Sequence, residues 1–355
     1  MHPITSIGHN IYFGESGYDA LNEIVYIKRY SSAFILCDTN TAEYCLPIFL
    51  PMFATEITIE IIEIDAGESM KTIETCVEVW KTLTELGADR KSLIINVGGG
   101  VISDLGGFIA STYKRGIDFI NVPTTLLGMV DASIGGKNGV DLGHLKNQIG
   151  TITAPKLVVV DTDYLTTLPP NEMRSGLAEM LKHGLIADAG YWKKFRNINE
   201  LDQSAFDHLV FESVVIKNDI VIQDPTEEGL RKALNFGHTI GHAIESYFLA
   251  SDDKQNLLHG EAVAAGMVLE SSLAVQKKLL SYDEFDEIHN LIKKTFGQII
   301  FTGIDVTAIL ELLIHDKKNE YGEVRFALID KIGRIVIDQT ATQEQIFEAF
   351  RIYSL

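Results

Sequence analysis

In the first half of the chain, segments with a strand-like pattern of apolar residues alternate with segments that have a helical pattern. Short segments rich in apolar residues, which predict strands, lie at residues 33–37, 57–63, 92–97 and 118–122. Between them, apolar side chains recur at helical spacing from Lys71 to a stop at Gly87, and again from Val101 to about Tyr113. Strands that alternate with helices predict a parallel sheet with helices on both faces.

The second half of the chain, from Pro170 onward, has a mostly helical pattern. Helices are predicted at residues 171–187, 204–223, 229–249, 259–279 and 283–295. A short hairpin, in which residues 324–330 pair with 334–338, is predicted near the end. We therefore predict two domains, at residues 1–168 and 169–355, as suits a chain of 355 residues.

Charge and composition narrow the classes of partner. The formal net charge of −19 argues against a nucleic acid or an anionic membrane surface as partner. No apolar run approaches the roughly eighteen residues that span a bilayer. The three cysteines lack metal-type spacing, and the first ten residues lack the basic and apolar parts of a signal peptide. These features predict a protein of the reducing cytoplasm.

Two glycine-rich segments are candidates for ligand binding. Gly98, Gly99 and Gly100 join a predicted strand to a predicted helix, where backbone amides can approach a pyrophosphate and the helix N-terminus favours negative charge. The pattern is not the usual Gly-x-Gly-x-x-Gly fingerprint, so a tight turn without a ligand is the alternative. A polar, glycine-bearing loop is predicted at residues 130–150, either as a functional loop or as a surface turn.

A histidine-rich segment, from Asp224 to Glu261, carries the candidate metal chemistry. If one helix runs through Asn235, His238 and His242, these side chains share a face. A third histidine, His259, follows a short polar interruption. Imidazole and carboxylate groups are the usual ligands of a zinc-type ion, and a catalytic site uses three of them and leaves one position open. A buried, hydrogen-bonded histidine pair is the alternative.

In this order, the motifs resemble those of 3-dehydroquinate synthases, a family of sugar-phosphate cyclases. The segments that carry the resemblance are GGGVISD at 98–104, YKRGI at 113–117, PTTLL at 123–127, VDASIGGK at 130–137, KNQIG at 146–150, TLPPNE at 167–172, SGLAEMLKH at 175–183, EEGLRKALNFGHTIGHAIE at 227–245, HGE at 259–261 and HDKKN at 315–319. The resemblance implies an α/β fold with an N-terminal Rossmann-like nucleotide-binding domain on a parallel sheet and a C-terminal, mostly α-helical metal-binding domain. It also implies an NAD- and divalent-metal-dependent phosphate lyase that cyclises its substrate.

The resemblance assigns roles residue by residue. It implies that Glu179, His238 and His259 bind the metal, zinc or cobalt, while His242 lies beside the site. The implied NAD-binding residues are Asp38, Glu68, Lys71, Gly100, Val101, Ile102, Ser103, Asp104, Thr124, Thr125, Lys137, Lys146, Tyr164, Leu165, Thr166 and Thr167. The implied catalytic residues are His242, Lys182, Lys137, Asn147, Glu227 and Asn235. The implied substrate-binding residues are Arg115, Asp131, Lys217, Arg231, Lys317 and Lys318.

The implied substrate is an anionic sugar-acid phosphate, 3-deoxy-D-arabino-heptulosonate 7-phosphate. The family converts it to 3-dehydroquinate and phosphate in the shikimate pathway, by transient oxidation with NAD, β-elimination of phosphate, reduction and an intramolecular aldol step. A homodimer is also expected from the resemblance. The alternatives are another sugar-phosphate cyclase, a metal-dependent polyol or glycerol-phosphate dehydrogenase, and a non-catalytic protein that kept the fold.

Two residues favour a structural role over metal binding, and three others depart from the family pattern. Glu179 and Lys182 lie three residues apart on a predicted helix, and by themselves they favour a buried structural ion pair. Asp141 stands where many family members have Asn, Pro225 replaces an acidic residue, and Ala66 replaces an Asp. None of these three departures removes a predicted metal ligand.

Overall fold

The computed structural model describes residues 1–143, 145–200, 202–251, 254–255, 257–315 and 324–354. It contains two compact units, Met1–Pro169 and Pro170–Leu355. None of the described helices combines the length and the apolar character that a membrane span needs.

The N-terminal unit is built on one mixed sheet and one hairpin. Its strands are β1 Ile4–Thr5, β2 Asn10–Phe13, β3 Ser32–Asp38, β4 Thr58–Ile64, β5 Leu93–Gly98, β6 Asp118–Pro123, β7 Lys137–Leu142, β8 Leu145–Ile152 and β9 Leu157–Val160. Its helices are α1 Glu15–Lys28, α2 Thr39–Tyr44, α3 Leu46–Met52, α4 Ile73–Glu85 and α5 Gly100–Thr112. The sheet order is β1-β2-β9-β6-β5-β3-β4, in which only β1 is antiparallel to its neighbour.

Three of the predicted segments form the centre of this sheet, as β3, β5 and β6, and the segment at 57–63 forms the edge strand β4. Every residue of β5 is buried, as expected for a central parallel strand with both faces covered. Leu83 of α4 and Leu105 of α5 pack with Ile94 of β5 in one apolar cluster. Burial of each such side chain contributes about 1.5–3 kcal/mol to folding. The predicted α/β fold with a parallel sheet is confirmed.

The strand order places a topological switch point between β3 and β5. After β3 the chain continues outward to β4, and after β5 it continues in the opposite direction to β6. Leu36 lies opposite Asn96, so Asp38 and Gly98, each two residues further on, are level at the carboxyl ends of their strands. Ligands of open parallel sheets bind at such points.

The prediction of a loop at residues 130–150 is wrong for most of that segment. A π-helical turn, Gly128–Ala132, precedes a hairpin in which β7 and β8 pair antiparallel. A Cβ atom on Gly150 would lie 2.4 Å from the backbone oxygen of Asn138, so glycine allows the two strands to approach. The polar, glycine-rich composition obscured the strand pattern because these residues disfavour strands on average.

The C-terminal unit is mostly helical. Its helices are α6 Pro170–Ala187, α7 Ala189–Lys194, α8 Gln203–Gln223, α9 His238–Ala250, α10 His259–Gln276, α11 Tyr282–Phe296, α12 Gly303–His315 and α13 Gln343–Tyr353. The predicted hairpin is confirmed as β10 Phe326–Lys331 paired with β11 Arg334–Gln339. Helix α10 is buried along most of its length and packs against α6, α9, α11 and α13.

The single helix predicted at residues 229–249 is wrong. A 3-10 turn, Leu230–Asn235, is followed by a break at Gly237, whose φ of 77° is left-handed, and α9 begins only at His238. Glycine adopts this conformation without steric cost. Asn235 therefore does not share a helical face with His238 and His242.

Candidate functional site

Close approach of backbones holds together the three helices that carry the predicted metal ligands. Glu179 lies on α6, while His238 and His259 are the first residues of α9 and α10. A Cβ atom on Gly260 would lie 2.4 Å from Cα of Ser175 on α6, and one on Gly266 would lie 2.0 Å from the backbone oxygen of Gly237. Glycine is thus required where α10 meets each of the other two segments.

The three predicted ligands converge on one oxygen atom. Nε2 of His238 lies 3.4 Å from Oε1 of Glu179, and Nε2 of His259 lies 3.9 Å from the same oxygen. Glu179 is fully buried, and neither of its oxygens has a hydrogen-bond partner in the described parts of the chain, although Lys182 forms an ion pair with Oε2. A buried carboxylate without hydrogen bonds, facing two imidazoles, fits a site for a divalent cation.

The other ring nitrogens of the two histidines are occupied. Nδ1 of His238 lies 3.2 Å from the carbonyl oxygen of Phe236, and Nδ1 of His259 lies 3.3 Å from Oε2 of Glu245. Such partners fix the tautomer and leave Nε2 as the lone-pair donor toward a metal. Burial, and then the neighbouring Lys182, hold the pKa of His238 well below its usual range, so its ring is neutral and able to ligate.

His242 offers a second ligand set. Its ring centroid lies 5.1 Å from that of His238 and 5.7 Å from that of His259, and one nitrogen of each ring falls within 4.8 Å of the others. Three imidazoles would be a neutral set, whereas a set with Glu179 brings a negative charge to the cation. The set with Glu179 also supplies a partner to this buried carboxylate, which has no hydrogen bond among the described residues.

A tight turn before α9 holds three of the predicted substrate and catalytic residues. The side chain of Asn235 donates to Oε1 of Glu227 at 2.9 Å. Nη1 of Arg231 donates to the carbonyl oxygen of Pro225 at 2.8 Å, a backbone contact that does not depend on the side chain at this position. Asp224 accepts the backbone N–H of Arg231 at 2.9 Å, and the backbone hydrogen bonds to Asp224 lower the pKa of its carboxyl.

Two more predicted basic residues of this unit are buried lysines. Lys182 on α6 and Lys217 on α8 are both buried, at 1% and 5% exposure. Buried lysines are rare unless a negative group offsets their charge. The predicted substrate residues Lys317 and Lys318 lie outside the described residues.

In the N-terminal unit, the predicted glycine turn lies at the end of β5. A Cβ atom on Gly98 would lie 2.6 Å from Ile102, and one on Gly99 would lie 2.8 Å from the side chain of Thr125. The backbone N–H of Thr124 donates to the carbonyl of Gly98, and the N-cap residue of α5, Gly99, has no side chain with which to cap the helix. This uncapped, glycine-lined helix start, with Val101, Ile102 and Ser103 in its first turns, fits the pyrophosphate of a dinucleotide.

A network around Lys71 joins predicted NAD residues to a predicted catalytic one. Nζ of Lys71, which is 4% exposed, donates to Oδ2 of Asp104 and to Oδ1 of Asn147, at 2.6 Å each. Burial opposes the charge of Lys71, but Asp104 raises the pKa of this lysine above its usual value. Asp141 accepts the backbone N–H of Asn147 at 2.7 Å. The structure thus gives the family departure at Asp141 a role in holding Asn147.

Other predicted cofactor residues have their own contacts. Nζ of Lys146 lies 3.5 Å from Oε1 of Glu68. Asp38 caps α2 through the backbone N–H of Thr41. The hydroxyl of Tyr164 bonds to that of Tyr18 inside the unit, and the rest of its turn comprises buried Leu165 and exposed Thr166 and Thr167.

Arg115 is separated from the glycine turn in this unit. It lies in the 3-10 turn Tyr113–Arg115, with a φ of 71°, before the start of β6. Gly98 ends the neighbouring strand β5, at the opposite end of the two strands. Asp131 is half-buried in the π-helical turn, and Lys137 is exposed at the start of β7. Burial raises the pKa of Asp104, and the charge of nearby Asp131 adds to this effect, so Asp131 lies close to the Lys71 network.

Sequence reasoning missed two residues that support the site. Glu245, which contacts His259, lies seven residues after His238, a spacing that places both on one face of α9. That spacing was a usable signal. Glu270 contacts α9 from α10 and has no comparable signal, because its partners are backbone groups.

Comparison with known proteins agrees with this geometry. Residues 61–175 match the family described as 3-dehydroquinate synthase N-terminal, and residues 176–319 match 3-dehydroquinate synthase C-terminal. The 3-dehydroquinate synthase of Parabacteroides distasonis is 41% identical to this chain over 339 residues, which cover 94% of each protein.

Solved structures of two cyclases are also similar. A 2-deoxy-scyllo-inosose synthase complexed with carbaglucose-6-phosphate, NAD+ and Co2+ is 25% identical, with a TM-score of 0.86 over 97% of this chain and 96% of that one. A 2-epi-5-epi-valiolone synthase from Streptomyces hygroscopicus, with NAD+ and Zn2+ bound, is 26% identical, with a TM-score of 0.84 over 100% and 99%. Because both halves match one family and a curated relative is similar along nearly its whole length, the predicted family and enzyme class are confirmed, and the chain belongs to the 3-dehydroquinate synthase family.

Proposed function

We propose that this chain converts 3-deoxy-D-arabino-heptulosonate 7-phosphate to 3-dehydroquinate and phosphate, with NAD recycled in each turnover. The observation that carries the proposal is the convergence of Glu179, His238 and His259 in a chain of this family. Similarity to a 3-dehydroquinate synthase at 41% identity supports this substrate over those of the cyclases at 25% and 26% identity.

We assign the cofactors to separate residues of the two units. Glu179, His238 and His259 would hold one divalent metal, zinc or cobalt, and the glycine turn at Gly98–Gly100 with Thr124 would hold NAD. When bound, NAD supplies reversible hydride transfer, and the metal supplies Lewis-acid polarisation of a substrate hydroxyl.

The side chains around the metal ligands have roles that follow from their charge and position. The buried ammonium of Lys182 stabilises negative charge on a substrate oxygen, because a preorganised cation acts strongly where water is excluded. His242, with its ring 5.1 Å from that of His238, carries a proton to or from the substrate. Arg231, Lys217 and Asn235 bind the anionic groups of the substrate, and the pairing of Asn235 with Glu227 fixes its amide.

The test separates a cyclase from a dehydrogenase. Purified protein is incubated with metal, heptulosonate phosphate and NAD at a small fraction of the substrate concentration, while released phosphate and the absorbance of NADH are recorded together. We expect many equivalents of phosphate per NAD and no accumulation of NADH. Growth of NADH without phosphate would overturn the proposal in favour of a dehydrogenase.

The same assay tests the rival cyclase activity. Glucose 6-phosphate, which has no carboxylate, replaces the heptulosonate phosphate, and we expect no phosphate release. Phosphate release from glucose 6-phosphate alone would assign the chain to another cyclase reaction.

The family also motivates proposals on assembly and location. We propose a homodimer, tested by the molar mass in solution, and a cytoplasmic enzyme, tested by fractionation of the source cells. A monomeric mass at micromolar concentration would contradict the first.

A further inference from the structure

One fully buried carboxylate, Glu270 on α10, contacts the beginning of α9. Its Oε2 accepts the backbone N–H of Gly237 at 2.7 Å, and its Oε1 accepts the backbone N–H of Ile240 at 3.0 Å. Both oxygens are therefore used by a helix on which Glu270 does not lie. Burial raises the pKa of Glu270 to about 8, although these backbone donors act in the opposite direction.

Helix α9 lacks a cap of its own. Its N-cap residue is Gly237, which has no side chain to accept the first free N–H groups of the helix. These groups are buried, and a buried donor without a partner costs about 1–3 kcal/mol. Glu270 fills this role from a neighbouring helix.

The two hydrogen bonds fall on either side of a predicted metal ligand. His238 lies between Gly237 and Ile240, so the carboxylate fixes the backbone turn from which this imidazole projects. Helix α10 also begins with His259, and Glu270 lies three helical turns further along it. One helix thus supplies a ligand and the group that sets the position of another ligand.

We propose that Glu270 is a positioning residue of the metal centre, which holds the first turn of α9 so that Nε2 of His238 meets the metal together with Glu179 and His259. This inference rests on the proposed metal set. It differs from a purely structural cap in one measurable respect: removal of one acceptor changes the geometry and affinity of the bound ion as well as stability.

The experiment uses the full-length protein, stripped of metal and then titrated with Co2+, whose visible absorption reports the geometry of its ligands. Glu270→Gln keeps the shape of the side chain but replaces one acceptor with a donor that faces a backbone N–H. The control is Glu287→Gln, the same chemical change at a carboxylate that accepts from Trp192 and Arg196 in the same unit.

For Glu270→Gln we expect a ten- to hundredfold weaker Co2+ affinity, on the order of other substitutions behind a metal ligand, and a changed Co2+ spectrum. For Glu287→Gln we expect wild-type affinity and spectrum. A folded Glu270→Gln protein with wild-type affinity and spectrum would overturn the proposal, even if its melting temperature fell.

Two further variants keep the test decisive. If Glu270→Gln does not fold, Glu270→Asp is measured instead. It keeps the carboxyl group with a shorter reach. We expect weaker Co2+ binding from it too, and unchanged binding would overturn the proposal. Glu179→Ala is titrated in parallel. Retained Co2+ in that variant refutes the proposed metal set, whereas lost Co2+ there with an unchanged Glu270→Gln refutes only the positioning role.

Discussion

Two polar clusters, one in each unit, differ in how completely their buried polar groups are hydrogen-bonded. In the N-terminal unit, Lys71 donates to both Asp104 and Asn147 at 2.6 Å. In the C-terminal unit, Glu179 has an ion pair with Lys182 but no hydrogen bond to either oxygen among the described residues.

The difference separates a preformed scaffold from a site that needs a ligand. In the Lys71 cluster, the ammonium group has a carboxylate and an amide oxygen as acceptors. The cluster therefore needs no ligand to be stable, and it can present a fixed surface to a cofactor. The Glu179 cluster buries a carboxylate among imidazoles that cannot donate to it from Nε2 in their fixed tautomers. A divalent cation would satisfy that carboxylate and both lone pairs at once.

The largest expected effect tests which atoms complete the unsatisfied cluster. His259→Ala should remove bound metal and abolish turnover, because only two of the three proposed ligands remain. His242→Ala should keep the metal and lower kcat by about a hundredfold or more, as for loss of a general acid–base group. Metal content by elemental analysis, measured beside kcat, checks both.

The matched pair of variants also shows how the assignment would fail. A His242→Ala protein without metal, beside a fully loaded His259→Ala protein, would replace His259 by His242 in the ligand set.

A smaller effect is expected when the satisfied cluster is broken. Lys71→Met should lower the free energy of unfolding by about 2 kcal/mol, because Asp104 loses its cation while it remains only 18% exposed. NAD should bind more weakly, and metal content should not change. Urea unfolding and NAD titration are the measurements.

The control for Lys71→Met is the double variant Lys71→Met/Asp104→Asn. Removing the stranded charge should restore part of the lost stability, and the four proteins form a thermodynamic cycle. If the double variant lost as much free energy of unfolding as the two single variants together, the pair would not be coupled.

The smallest effect concerns a satisfied carboxylate in the C-terminal unit. Burial alone would raise the pKa of Asp305, but hydrogen bonds from Tyr247, Thr302 and Lys254 lower it to about 2, below the 3.8 of a free carboxyl. A lowered pKa adds stability above pH 3.8 that is lost as the pH falls toward 2. The stability difference between wild type and Asp305→Asn should therefore be constant from pH 7 to 5 and shrink below about pH 4.

Urea unfolding at pH 7, 5, 4 and 3 measures this difference. A gap that widens on acidification would show that Asp305 is not held in its charged form by these partners.

The sequence predicted those parts of the molecule that depend on local pattern. The run at 92–97 became β5 because a strand buried on both faces has no polar positions to obscure it. The break before His238 was not predictable, since an isolated glycine inside a helical pattern is usually tolerated. Lys71 and Asn147 lie 76 residues apart, and no spacing rule connects them.

For the candidate site, the residues alone predicted a metal but not its ligands. Spacing favoured His238 with His242, and only the family resemblance pointed to Glu179, which by itself suggested an ion pair with Lys182. The structure contains that ion pair as well as the convergence with both imidazoles. The two interpretations of Glu179 were therefore not exclusive.

The glycine contacts between α9 and α10 have a consequence for anyone who would transplant this metal centre. The backbones at Gly237 and Gly266 approach so closely that no side chain fits between them. Gly241 lies against the backbone of Val263 of α10 in the same way. The distance between the two histidines is therefore set by backbone atoms in contact, which do not repack. A design that copied only Glu179, His238 and His259 onto ordinary helices would place them too far apart. The glycines must therefore be transferred together with the three ligands.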